Sequence, residues 1–225
     1  MRIGSAFLLS CLGLCLAAPA AAQTALNLNA GTWGIGAGLV LPINEASAFR
    51  LGLAGDVYRT RIRESDVRYR ARVELAHAPL LFDWHPGAGA FRLTAGIVPN
   101  NDNADLEART TDGVFRFNGT AYDSSTVGSV TGRLSFDRRV APYLGAGFAL
   151  ALGGPNSGWN WSMDFGAMYM GRLKATLSAT CTSTASAAQC AQLQSDVAAE
   201  ADQLRDSAND LRWYPVIQVN FAKWF

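Results

Sequence analysis

The sequence predicts an all-β chain, an eight-stranded antiparallel transmembrane β-barrel with one α-helix in its last extracellular loop. Three observations lead there. Apolar residues recur at every second position through most of the chain, which is the strand period. Only 16% of the 225 residues are charged, well under the roughly 25% of water-soluble domains. The one long uncharged stretch after the N-terminus, Val140 to Met163, is interrupted by Pro142, Gly153-Gly154-Pro155 and Gly158 and has period two, so it reads as two strands and a turn rather than a helix.

The N-terminus reads as an address. Arg2 is followed by the apolar run Ala6–Ala18, then Pro19 and the small residues Ala20-Ala21-Ala22. This is the pattern of a secretory signal peptide over residues 1–22, with residues 23–225 as the barrel domain. The run is too short for a membrane anchor. Lipid attachment at Cys11 is disfavoured by the few apolar residues before it. Cleavage removes Cys11 and Cys15 and leaves Cys181 and Cys190, nine positions apart. In an exported chain such a pair is expected as a disulfide, and its short ring contributes about 2–3 kcal/mol.

The strands follow in order. Ala25–Ala30 has the weakest alternation and is needed to make the count even. Trp33–Pro42 and Phe49–Arg63 come next. Tyr69–Trp84 slips in parity between Val73-Leu75 and Leu80-Phe82, which predicts a bulge near Pro79. After Phe91–Leu106, one long strand runs from Val127 to Leu150 with constant parity through Asp137-Arg138-Arg139, projecting above the membrane. Trp159–Lys174 and Trp213–Phe225 complete eight. Asn44–Ser47, His85–Ala90 and Leu152–Gly158 read as short periplasmic turns.

A soluble sandwich shows the same period, so the minority face has to decide. It carries Arg50, Asp56, Arg92, Arg133, Asp137 and Asp164 among many of the 22 glycines. Arg70, Arg72 and Glu74 join them as expected lumen charges. Lys174 and Lys223 are the only lysines after the leader, too few for the wet face of a sandwich. A membrane barrel turns the apolar face to lipid and fills its interior with small and polar side chains. The last strand alternates up to its end, and Phe221, Trp224 and Phe225 resemble the C-terminal signal read by the barrel-assembly machinery of bacterial outer membranes. Lys223 departs from that pattern.

The outer loops are expected to be long. Asn100–Thr126 is polar. In Ala188–Leu211, Leu193, Val197, Leu204 and Leu211 repeat at helical spacing. The opposite face carries Asp196, Glu200, Asp202, Asp206 and Asp210 against Arg205 and Arg212. It reads either as a solvated helix face or as an acidic cap that concentrates cations.

Arg133-Leu134-Ser135-Phe136, followed by Ala141-Pro142-Tyr143-Leu144-Gly145-Ala146-Gly147-Phe148, resembles a long-strand segment of CarO-type outer-membrane proteins. The resemblance continues at Trp159, at Phe165-Gly166-Ala167-Met168-Tyr169-Met170-Gly171, at Glu200-Ala201 and at Trp213-Tyr214-Pro215-Val216. It implies an outer-membrane barrel of porin-like character. It also implies a link to carbapenem susceptibility and to uptake of ornithine and other basic amino acids. The Cys181/Cys190 pair is outside the pattern.

Function is bounded by charge and by missing motifs. A net charge of +1 excludes a broad basic surface for nucleic acid. No nucleophile motif, zinc motif or phosphate loop occurs, so an enzyme, a metal site and a cofactor are not expected. His77 reads as a strand-surface residue beside the Pro79 bulge. The expected partners are membrane lipid, the assembly machinery and small cationic solutes, with narrow or gated passage or binding as the role. An eight-stranded interior is barely wide enough for its own side chains, so paired charges should plug it. The alternative is a structural or surface-interaction barrel without transport.

Overall fold

The computed structural model describes residues 24–64, 67–110, 113–152, 158–207 and 212–225. The expected leader and its expected cleavage site, most of the turn after Leu152, and Asp210 and Leu211 lie outside the described residues. In chain order the elements are β1 (Ala25–Gly31), β2 (Gly34–Asn44), β3 (Ser47–Glu64), β4 (Val67–His77), β5 (Leu80–Trp84), β6 (Phe91–Pro99), β7 (Asn103–Thr110), β8 (Val114–Phe117), β9 (Thr120–Asp123), β10 (Val127–Phe136), β11 (Val140–Leu152), β12 (Trp159–Tyr169), β13 (Leu173–Cys181), α1 (Ala187–Ser207) and β14 (Trp213–Trp224). A single 3₁₀ turn, Pro86–Ala88, joins β5 to β6.

Eight of these strands close a ring, in the order β1-β2-β3-β5-β6-β11-β12-β14 and back to β1, with every pairing antiparallel. β4, β7, β10 and β13 are the upward continuations of β5, β6, β11 and β12. With the upper half of β3 they form an open sheet standing above the ring. Closure removes the unpaired edge that would otherwise template aggregation. Ile35, Leu53 and Leu144 on the outside of the ring are 72%, 70% and 65% exposed, and Leu28, Phe148, Phe165, Ile217 and Phe221 extend the same band. A contiguous apolar belt of this kind belongs against hydrocarbon rather than water.

The parity slip near Pro79 has a different cause from the expected bulge. Ala54 stands opposite His77 and Leu51 opposite Leu80, so the register of β3 passes from β4 to β5 without a shift. What changes is the surroundings. Within the ring the apolar face looks out, at Leu80, Phe82 and Trp84. Above it the apolar face looks in, and Arg72 and Glu74 look out. The real bulge lies on the sixth strand, which is not continuous. Val140 pairs with Pro99 and Ser135 with Asn103, so five residues face four and one extra residue sits at Asp137–Arg139. Beside it the chain turns through Gly171 at φ 76°. Through these irregularities Val140 and Leu144 point outward, whereas Val130 lies in the interior cluster with Ala108 and Ala179.

Asn100–Thr126 contains more structure than a loop. Asn118 and Gly119 both have positive φ and turn β8 into β9, as expected for Asn-Gly between alternating apolar residues. Phe115, Phe117 and Tyr122 of this hairpin pack with Leu193 and Val197 of α1 over the inner face of the projecting sheet. The disulfide Cys181–Cys190 ties the end of β13 to the first turn of that helix.

Candidate functional site in the barrel lumen

The lumen is filled in layers. At the short-turn end Ala25, Val40, Ala48 and Trp224 pack together. Above them lies a buried charge network supplied by four strands. Arg50 of β3 donates from Nη1 to Asp164 Oδ2 at 2.7 Å and from Nη2 to Asp83 Oδ1 at 3.0 Å, with its Nε 2.6 Å from Asp83 Oδ2. Arg92 of β6 donates from Nε and Nη2 to Asp164 Oδ1, at 3.0 and 2.7 Å, and from Nη2 to Ser162 Oγ at 3.0 Å. Thr94 Oγ1 donates to Asp83 and Asn220 Nδ2 donates to Asp164. Two guanidinium groups thus meet two carboxylates in a neutral, hydrogen-bonded set, the arrangement that makes buried charge tolerable.

The next layer is apolar. Trp33 sits in the tight turn between β1 and β2 and folds inward, with its ring centroid 5.5 Å from that of Tyr143 and 5.8 Å from that of His77. Val98, Ala141, Met168, Met170 and Val216 complete the layer. The lumen glycines do not leave a passage. A Cβ on Gly145 or Gly166 would collide with the Tyr143 hydroxyl, and one on Gly147 with Asp164 Oδ1. Their missing side chains are the space that Tyr143 and the Arg92–Asp164 pair occupy. Between the two layers a cavity of about 30 Å³ borders Arg50, Asn29, Gln218 and Tyr143. That is water-sized space.

Of the expected lumen charges, Arg50, Arg92 and Asp164 are in the lumen, and Asp56 is half-buried on the inner face above the plug. Arg70, Arg72, Glu74 and Arg133 are not. They lie on the outward face of the projecting sheet, with Arg72 opposite Asp105 and Asp105 opposite Arg133. Asp137 is exposed in the bend before β11 and accepts the Arg172 backbone N–H at 2.9 Å. His77 is not a surface residue. It is 3% exposed, with Nε2 2.9 Å from Asp102 Oδ2 at the top of the plug. Sequence reasoning missed Asp83, Trp33 and Tyr143. Asp83 was findable, because placing Leu80, Phe82 and Trp84 outward puts Asp83 inward. The acid face of α1 is also different from a free cap. Asp196 is buried and accepts from Tyr122 Oη at 2.5 Å and Asn118 Nδ2 at 3.3 Å, and Glu200 accepts the Asn118 N–H at 2.9 Å. These hydrogen bonds, the one from Tyr122 foremost, hold the Asp196 carboxyl below the usual carboxylate range. Burial, with Asp196 beside it, pushes the Tyr122 phenol up to about 12. Asp202 pairs with Arg205 at 2.6 Å on the exposed side. Asp206 is exposed as expected. Leu204, expected on the apolar face, is 40% exposed. At the C-terminus Phe221 and Phe225 face outward, and Trp224 turns inward against Ala25 and Ala222.

A closed eight-stranded antiparallel barrel with an occluded lumen and an apolar exterior is the class that the fold and the site define. Among solved structures, two from Acinetobacter baumannii have a similar fold. CarO2 superposes with a TM-score of 0.63 at 20% identity over 91% of this chain and 99% of that chain. CarO superposes with 0.61 at 24% identity, over 91% and 98%. No family model and no curated protein matches the chain. The resemblance read from the sequence therefore extends to the three-dimensional fold.

Proposed function

We propose that the protein is a porin-like barrel of a bacterial outer membrane whose resting lumen is closed, and that it admits small cationic solutes only through a gated state. The observation behind this reading is the lumen plug, in which Arg50 and Arg92 share Asp164 beneath the Trp33–Tyr143 layer. Opening requires the guanidinium groups to leave the carboxylates. Asp83 and Asp164 would then be free to receive a cation of similar chemistry, such as the side chain of a basic amino acid. The alternative, a surface-interaction barrel without transport, is favoured by the sheet, hairpin and helix that project from the ring and pack on one another. Planar-bilayer recording with liposome uptake decides between them. The gated reading expects no steady conductance together with faster uptake of ornithine or lysine than of neutral amino acids. Uptake of neither above that of protein-free liposomes leaves the surface reading, and a large steady conductance contradicts the closed lumen.

A further inference from the structure

The projecting sheet carries an arginine lattice that the lumen does not use. On its outward face Arg59 of β3 stands directly opposite Arg72 of β4, and Arg61 opposite Arg70. The rows continue onto β7 and β10, with Arg72 opposite Asp105, Arg70 opposite Glu107, and Asp105 opposite Arg133. Like charges directly opposite on neighbouring strands are destabilising, because their Cβ atoms are only about 5 Å apart. Local carboxylates offset part of this. Arg72 pairs with Glu74, and Arg133 lies 3.5 Å from Asp105. Among the residues whose side chains are described, no carboxylate lies within ion-pair distance of Arg59, Arg61 or Arg70. A groove of about 600 Å³ runs across this face.

Its height on the barrel identifies the occupant. Val57 is the last apolar outward residue on β3, and Arg59 is the next position on the same face. Two residues of strand, tilted as in a barrel, rise about 5 Å. That is the thickness of the polar layer next to the hydrocarbon. The lattice therefore stands beside the head groups of the lipids that touch the apolar belt, on the side from which the long strands project. Arginine recognises phosphate bidentately, and two facing arginines can share one phosphate.

We propose that this face binds the phosphate groups of an anionic glycolipid in the outer leaflet, with Arg59, Arg61 and Arg70 as the main contacts. The proposal rests on the membrane-barrel reading above. Each cation near an anionic surface strengthens binding about fivefold, so losing three weakens it roughly a hundredfold.

The test compares the full chain with an Arg59→Gln/Arg61→Gln/Arg70→Gln variant. Both are first mixed with plain phosphatidylcholine vesicles and floated on a density gradient. They are then titrated in detergent micelles with bisphosphorylated lipid A, with lipid A stripped of phosphate, and with inorganic pyrophosphate. The expected result is flotation of both proteins and salt-sensitive binding of bisphosphorylated lipid A by the wild type. That binding should be about a hundredfold weaker in the variant and absent with the stripped lipid. Equal lipid A binding by the two proteins overturns the proposal and leaves the barrel reading standing. So does pyrophosphate binding as tight as that of lipid A, because the face would then take a soluble anion. Failure of the wild type to float overturns the membrane reading and this proposal with it.

Discussion

Replacing Asp164 by Asn is expected to destabilise the barrel by about 3–5 kcal/mol, the cost of leaving a buried charge without its partner. Asp164 accepts from Arg50, Arg92 and Asn220 and is 3% exposed. In the variant Arg50 keeps Asp83, but Arg92 keeps only Ser162 among the partners named above. The loss should therefore concentrate on Arg92. An Asp164→Asn/Arg92→Gln double variant should recover a substantial part of it, since the orphaned cation is gone. Urea unfolding in detergent, followed by the mobility difference between folded and heat-denatured barrel, measures both. A single variant as stable as the wild type would mean that the carboxylate is not the hub of the lumen. A double variant no better than the single one would mean that the loss lies in packing rather than in charge.

Replacing Trp33 by Ala is expected to cost a similar amount, about 3–5 kcal/mol for removing a large buried aromatic side chain. It should also open the upper half of the lumen. The indole is 5% exposed and holds Tyr143 and His77 in place. The lower charge layer stays intact in this variant, so bilayer conductance should remain low. Combined with Asp164→Asn the conductance should rise, because the charge layer then loosens beneath the opened aromatic layer and only the small layer of Ala25, Val40, Ala48 and Trp224 remains. High conductance from Trp33→Ala alone would show that the charge layer does not seal the barrel. No conductance from the combined variant would show that the short-turn-end layer of Ala25, Val40, Ala48 and Trp224 seals the barrel by itself.

The ring was legible in the sequence because lipid and lumen impose opposite demands on alternate residues. Seven of the eight strand segments were recoverable from that alternation, and the first, Ala25–Ala30, from the even count that closure requires. The projecting sheet was harder to read. There the covered face is the inner one, so the same alternation carries the opposite meaning. Read with a single rule, the change near Pro79 passes for a bulge, Arg70 and Arg133 pass for lumen residues, and the true bulge at Asp137–Arg139 disappears into one long strand. The Asn118-Gly119 turn was a strong local signal, hidden inside a stretch read as a polar loop. In the lumen, the roles of Arg50, Arg92 and Asp164 followed from strand parity. That Trp33 closes the lumen did not, because it sits in a turn, and parity says nothing about where a turn residue folds.

The orientation of the strand faces carries every other conclusion, and spin labelling tests it most directly. Nitroxides are placed at Leu53 and Leu144 on the belt and at Thr131 on the projecting sheet, and the protein is reconstituted in vesicles. Labels at Leu53 and Leu144 should be relaxed by dissolved oxygen and shielded from a water-soluble nickel complex, and the label at Thr131 should show the reverse. If the nickel complex reaches Leu53 and Leu144 as readily as Thr131, the belt faces water and the account is wrong.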